Sequence, residues 1–251
     1  MNGLHSFAIG DIHGRADLLT LLLDAIKKRA SDMEIEYRVI FLGDIIDRGP
    51  DSAGAMHLVS EALAENPLSQ LILGNHDWFP IRILDELSGD DPKKALNHWV
   101  TRLGGDATLI SYGFDPDKFC VDDLRLHFPG EHLKMLRGAK SFVETEAHVF
   151  VHAGILPGVP LADQTRHDLM WIREPFLSYR GRFEKTVVHG HTPNVSNLCE
   201  TAPGRVGVDT GAYATGCLSA AHVFPSNQVL FMGTVPSFDN RVDDHPAVLL
   251  S

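Results

Sequence analysis

The sequence predicts an α/β protein (α+β by strict class): two packed β-sheets with helices outside them. Three observations lead there. The chain has 251 residues at 44% hydrophobic content, enough to bury a full core as one domain. Its first third repeats a strand-then-helix unit, and its second half keeps the strands but drops the long helices between them. Residues 1–251 are therefore expected to form a single domain, with a helical insertion at about 78–140 and a loosely held tail at about 237–251.

The first strand, residues 6–10, is short and apolar and ends in Gly10-Asp11-Ile12-His13-Gly14. Asp11 and His13 are two apart at a strand end, so they share a side and suit two ligands of one metal. Residues 17–28 read as an amphipathic helix with Leu18, Leu19, Leu22, Leu23 and Ile26 inward. That helix returns the chain for a strand over 37–43, completing a βαβ unit. The second strand leaves the core at Gly43-Asp44, and the turn after it holds Asp47 and Arg48 before Gly49-Pro50. Open α/β sheets keep their chemistry at such strand ends. Asp51 can cap a helix to about residue 65, with Met56, Val59 and Leu63 inward, and Asn66-Pro67 ends it. A third apolar strand, 69–73, delivers Gly74-Asn75-His76-Asp77.

Residues 78–140 are helical in pattern. Ile81, Ile83, Leu84 and Leu87, then Leu96, Trp99, Val100 and Leu103, supply apolar faces, with breaks at Gly104-Gly105, Asp115-Pro116 and Pro129-Gly130. An insertion beside the strand ends is a candidate for substrate selection, or a lid that covers core. Strands then resume. Residues 147–151 end in His152-Ala153-Gly154, and 185–188 end in His189-Gly190-His191-Thr192-Pro193. Residues 205–208, 217–224 and 228–235 read as a β-meander.

A formal charge of −11 argues against a nucleic-acid or anionic-membrane surface. Cys120, Cys199 and Cys217 are odd in number and lack metal-finger spacing, so they read as reduced thiols of a cytoplasmic protein. The first strand begins too early to leave room for a signal peptide, and no apolar run approaches membrane-spanning length.

Collected in order, the strand ends supply Asp11, His13, Asp44, Asn75, His152 and His191. Carboxylate, imidazole and amide oxygen suit two divalent ions such as manganese, iron or zinc, and thiolate is missing from the set. One shared carboxylate, for which Asp44 is chosen, could hold ions about 3.5–4 Å apart, as two-metal hydrolases do. His148 and His222, alone on apolar strands, read as ordinary core or surface histidines.

Gly10-Asp11-Ile12-His13-Gly14, Gly43-Asp44-Ile45-Ile46-Asp47-Arg48-Gly49, Gly74-Asn75-His76-Asp77, His152-Ala153-Gly154 and Gly190-His191-Thr192 resemble the ordered signature of the calcineurin-like metallophosphoesterases. Within them the chain is similar to the phosphoprotein phosphatase branch, in its bacterial and phage-lambda form. The likeness extends to Trp171-Ile172-Arg173 and Asp209-Thr210-Gly211-Ala212. It implies a four-layer αββα sandwich, with Asp11, His13 and Asp44 on one metal and Asp44, Asn75, His152 and His191 on the other. It also implies His76 as the acid for the leaving alcohol, Asp47 as the group that orients it, and Arg48 with Arg173 as a phosphate clamp. A buried Asp-His pair raises the imidazole pKa, as such an acid needs, and guanidinium suits phosphate.

The function so implied is a serine/threonine protein phosphatase with two divalent ions, manganese first and iron or zinc as alternatives. Hydrolysis would proceed by direct attack of an ion-bridging hydroxide on phosphorus. A symmetrical dinucleoside tetraphosphatase is the alternative, and a non-catalytic binding scaffold the remote one. The intact Asp47-Arg48 pair favours the phosphatase. The expected partner is a phosphorylated protein or small phosphoester, with no nucleic acid and no membrane; oligomeric state is left open. Three departures stand out. Pro193 occupies a position where many wider-family members bind metal through a histidine, so His189 is read as supporting or structural. Asp77 and Ala153 stand where eukaryotic phosphatases usually have Glu and Gly.

Overall fold

A computed structural model describes residues 3–194, 196–235, 241–245 and 248–249. The βα units form as expected: β1 (His5–Ile9), α1 (Ala16–Asp32), β2 (Tyr37–Phe41), α2 (Ser52–Glu65) and β3 (Gln70–Leu71). All five apolar positions predicted to face inward on α1 are buried. Asp51 caps α2, its carboxylate accepting from the Gly54 N–H at 2.8 Å. β3 is shorter than the 69–73 run because the chain beyond it turns to the end of the insertion. Ile72 bridges to Lys140, and the Leu73 N–H donates to the Lys140 carbonyl.

The insertion is helical. α3 (Trp78–Ile81) runs into one π-helical turn at Arg82–Glu86, followed by α4 (Asp91–Arg102), α5 (Gly105–Ser111), α6 (Val121–His127) and α7 (Gly130–Arg137). Trp99, Leu109, Leu124 and Leu133 join these helices to the core beneath α1 and α2.

The second half adds β4 (Phe142–Glu144), β5 (His148–Val151), α8 (Arg166–Trp171), β6 (Thr186–His189), β7 (Glu200–Ala202), β8 (Arg205–Gly207), α9 (Ala212–Thr215), β9 (Ser219–Val223), β10 (Val229–Thr234), β11 (Val242–His245) and β12 (Val248–Leu249). Two mixed six-stranded sheets result, in the orders β11-β10-β9-β1-β2-β3 and β12-β7-β8-β6-β5-β4. The period of two sorts the side chains into layers. Ala8, Ile40, Phe150, Val188, Val206 and Ala221 pack in the cluster between the sheets. Phe7, Ile9, Val39 and Phe41 face the helices instead. On the outer face of the second sheet Val151 and Val187 meet Leu169 of α8 with Ile172 and Phe176. The fold is thus a layered sandwich, its outer cover on that side being one short helix and a loop.

One expectation is corrected. Residues 205–235 are not a meander: β8 lies in the second sheet between β6 and β7, whereas β9 and β10 lie in the first, beside β1. Alternation decides which face of a strand is buried, not which strand it joins. The described part of the tail pairs with both sheets. β11 pairs antiparallel with β10, an Arg29–Asp244 ion pair ties it to α1, and β12 pairs with β7. The rest of 237–251 lies outside the described residues. Among the described residues, no helix is long and apolar enough to cross a membrane.

Candidate active site

The turns that follow β1, β2, β3, β5 and β6 converge, and the backbone there is unusual. Eight non-glycine residues among those described have positive φ, and five are predicted site residues: His13 (44°), Asp44 (52°), Asp47 (76°), Arg48 (69°) and His191 (65°). Such conformations cost free energy and gather where the surroundings enforce them. Glycine permits the close approach: a Cβ on Gly74 would lie 2.2 Å from Asp44 Oδ1, and one on Gly190 would lie 2.3 Å from Asp11 Oδ1.

Asp44 stands between two groups of donor atoms, one with His13 and His76, the other with His152 and His191. Its Oδ2 is 3.7 Å from His13 Nε2 and 3.5 Å from His152 Nε2. Asp11 Oδ2 is 4.0 Å from His13 Nε2, and its Oδ1 accepts the His191 N–H at 2.9 Å. Asn75 Oδ1 lies 2.9 Å from His152 Nε2. All six residues proposed as ligands therefore come together, and His76, expected as an acid, stands beside them.

The donors fit divalent cations. Burial pushes the pKa values of His13 and His191 down to about 3, so both imidazoles stay neutral. His13 Nδ1 and His152 Nδ1 each lie 2.8 Å from a backbone carbonyl, of Ile46 and Leu42. Donation there leaves each Nε2 lone pair facing Asp44, as metal-binding histidines are usually held. Burial, reinforced by Asp209 and Asp44, drives the Asp11 pKa well up; burial also pushes Asp209 to about 6. Crowded carboxylates of this kind are relieved by a positive charge placed among them.

Beside this cluster, His76 Nδ1 lies 2.7 Å from Asp47 Oδ2. Asp47 is fully buried and also accepts from Trp99 Nε1 at 2.9 Å and Thr108 Oγ1 at 2.7 Å. Burial opposes charge on His76, but the Asp44 and Asp47 carboxylates outweigh it and hold the imidazole above its ordinary value. Arg48 places Nη1 3.0 Å from His13 Nε2 and Nη2 2.9 Å from His76 Nε2, with the Tyr213 ring 5.0 Å from the guanidinium carbon. Arg173 is exposed beyond α8, near enough to act electrostatically on His191 and Asp209.

Several supports escaped sequence reasoning. Trp99 was assigned to an apolar face, yet its N–H reaches Asp47; a buried indole announces that it needs an acceptor but not which one. Thr108 carried no signal. Asp77, noted only as a departure, is fully buried and accepts from the Ile45 and Ile46 N–H groups, tying down the turn between Asp44 and Asp47. Burial and the nearby Asp44 push its pKa up to about 7. His189 is buried with Nδ1 toward the Gly190 carbonyl and belongs to neither donor group, as expected.

Comparison with known proteins agrees with this geometry. The profile of the calcineurin-like phosphoesterases matches residues 5–216. A symmetrical bis(5'-nucleosyl)-tetraphosphatase of Janthinobacterium sp. is 30% identical over 61% of this chain and 44% of its own. One from Ralstonia nicotianae is 32% identical over 37% of this chain and 34% of its own, so the chain spans under half of these relatives. Serine/threonine-protein phosphatase 1 of Salmonella typhimurium is 25% identical over 88% of this chain and 93% of its own. Among solved structures, a cold-active protein-tyrosine phosphatase of Shewanella shares the fold with TM-score 0.59 at 16% identity, over 97% of this chain and 81% of that one. The profile match over most of the chain, on a sandwich whose strand ends gather these donors, makes this protein a member of the calcineurin-like phosphoesterase family.

Proposed function

We propose that the chain is a two-metal phosphoester hydrolase, and that its substrates are phosphomonoesters of serine or threonine in proteins. The observation that carries this reading is the buried Asp47–His76 pair, 2.7 Å apart, with Arg48 beside it. Asp11, His13 and Asp44 would hold one ion, and Asp44, Asn75, His152 and His191 the other. Bound there, the ions supply Lewis acidity and lower the pKa of water. The side chains do the rest. Arg48 binds the phosphoryl oxygens, joined from the rim by Arg173. Asp47 fixes the His76 tautomer and stabilises its charge, and His76 gives its Nε2 proton to the departing oxygen. Trp99 and Thr108 hold Asp47 in place for that transfer.

The likeness to the Salmonella protein phosphatase, over 88% of this chain, supports the substrate assignment. A second reading, a symmetrical dinucleoside tetraphosphatase, is favoured by the shorter but more identical matches. Metal-stripped enzyme reloaded with manganese decides between them, given a phosphothreonine peptide or diadenosine tetraphosphate. Phosphate release from the peptide with the dinucleotide intact is the expected result. Formation of ADP with the peptide intact would assign the protein to the second reading.

A further inference from the structure

A cavity of about 1250 Å³ opens far from the donor cluster, at the opposite end of the sandwich. Ser6, Arg38, His148 and Thr186 line it from the N-terminal halves of β1, β2, β5 and β6, whereas the proposed ligands follow the C-terminal ends of those strands. Register explains the opening. Ser6 is paired with Arg38 and His148 with Thr186. Two residues further along the same faces, Ala8, Ile40, Phe150 and Val188 form the dry cluster between the sheets. An apolar row at the four outer positions would have continued that cluster and closed the end. Polar residues where the pattern asks for apolar ones mark a site kept for something other than packing.

Arg38 is the anomaly. Its Nε donates to Ser6 Oγ at 2.9 Å, and among the described residues its two terminal nitrogens have no hydrogen-bond partner and no carboxylate. The side chain is partly buried, and burial lowers its pKa. A partly desolvated guanidinium costs free energy unless an anion meets it. Arg180 and Arg182 stand exposed at the rim, with Glu146 and Glu184 the opposing charges there. Lys185, also at the rim, is already engaged by Glu144. Phe150 and Phe224 give the cavity an apolar wall as well.

We propose that this open end is a second, non-catalytic binding site for a small phosphate-bearing molecule. Arg38 grips the phosphate through its two terminal nitrogens, His148 and Thr186 supply further polar contacts, and the phenylalanines cover an organic substituent. The site stands independently of the substrate assignment above.

Isothermal titration of the metal-loaded protein with inorganic phosphate, then with the non-hydrolysable phenylphosphonate, tests it. Wild type takes up two equivalents, one at the catalytic cluster and one at Arg38. Arg38→Ala takes up one, while turnover of p-nitrophenyl phosphate in phosphate-free buffer is unchanged. A single equivalent in wild type, or two retained in Arg38→Ala, overturns the proposal. Should Arg38→Ala fail to fold, Arg38→Lys decides: it keeps the charge but loses the fork of two terminal nitrogens. It weakens the second site about tenfold, the usual size of a lost charge-assisted contact, and unchanged affinity rejects the site.

Discussion

The role proposed for His76 rests on what lies on either side of it. Asp47 accepts a hydrogen bond from its Nδ1 at 2.7 Å, and Nε2 faces Arg48 and the donor cluster. Replacing it with asparagine keeps the size of the residue and removes the proton donor. His76→Asn is expected to slow hydrolysis of an alkyl phosphate by about 10²–10⁴-fold, but that of p-nitrophenyl phosphate far less, because that leaving group needs little protonation. Equal losses in kcat on both substrates would reject the acid role. The pair was expected through the family resemblance of the Gly43–Gly49 and Gly74–Asp77 motifs, not from strand-end spacing alone. Trp99 and Thr108 were not, because periodicity places a side chain inside without naming its partner. A second histidine effect lies far from the site. His222 is fully buried, stacked on Phe7 and Phe224 and 2.9 Å from His5. Burial lowers its pKa from 6.5 to about 4, so between those values the unfolded chain takes up a proton that the folded chain refuses. Stability contributed by the neutral ring is therefore complete above pH 6.5 and falls as the pH drops toward 4. Melting temperatures at pH 7.5 and 5 should differ less in His222→Phe than in wild type.

Among the elements, the turns after the strands are where one atom matters most. The Gly190→Ala methyl would fall on Asp11 Oδ1, which cannot move without releasing the His191 N–H. This variant is expected to hold fewer than two manganese ions per chain after reconstitution, measured by elemental analysis. Full loading would show that the loop yields. The βα units could be read in advance because each apolar run ends at a glycine and a change of polarity. β4 and β7, three residues each, are too short to leave a pattern, and β3 was overread because beyond its pairing with β2 the chain at Ile72 bridges instead to Lys140, 68 residues on. The insertion was readable as helical and as lying beside the site, but not as the brace of the turn after β2. Through Trp99, Thr108 and the Gly104 carbonyl, which accepts the Arg48 N–H at 3.0 Å, it grips the turn that carries Asp47 and Arg48.

Across the molecule, binding of cations and folding are coupled. The cluster gathers Asp11, Asp44, Asp77 and Asp209 in a chain whose formal charge is −11. Ions that bind only the folded state add stability with concentration, about 2.7 kcal/mol at a hundredfold excess over Kd. Differential scanning calorimetry should show the melting temperature rising with added manganese and falling on chelation; a melting temperature indifferent to manganese would reject binding at these buried carboxylates. Finally, β1 sits in the middle of its sheet, paired with β2 on one side and β9 on the other. Its partner at 219–223 is made some two hundred residues after it, and histidines 152 and 191 are made in between. During synthesis the N-terminal βα units thus emerge with one flank of β1 bare and two of the six proposed donors still to come. On the proposed assignment, the ion site of Asp11, His13 and Asp44 is encoded within the first two βα units, and the other is completed only once residue 191 has been made.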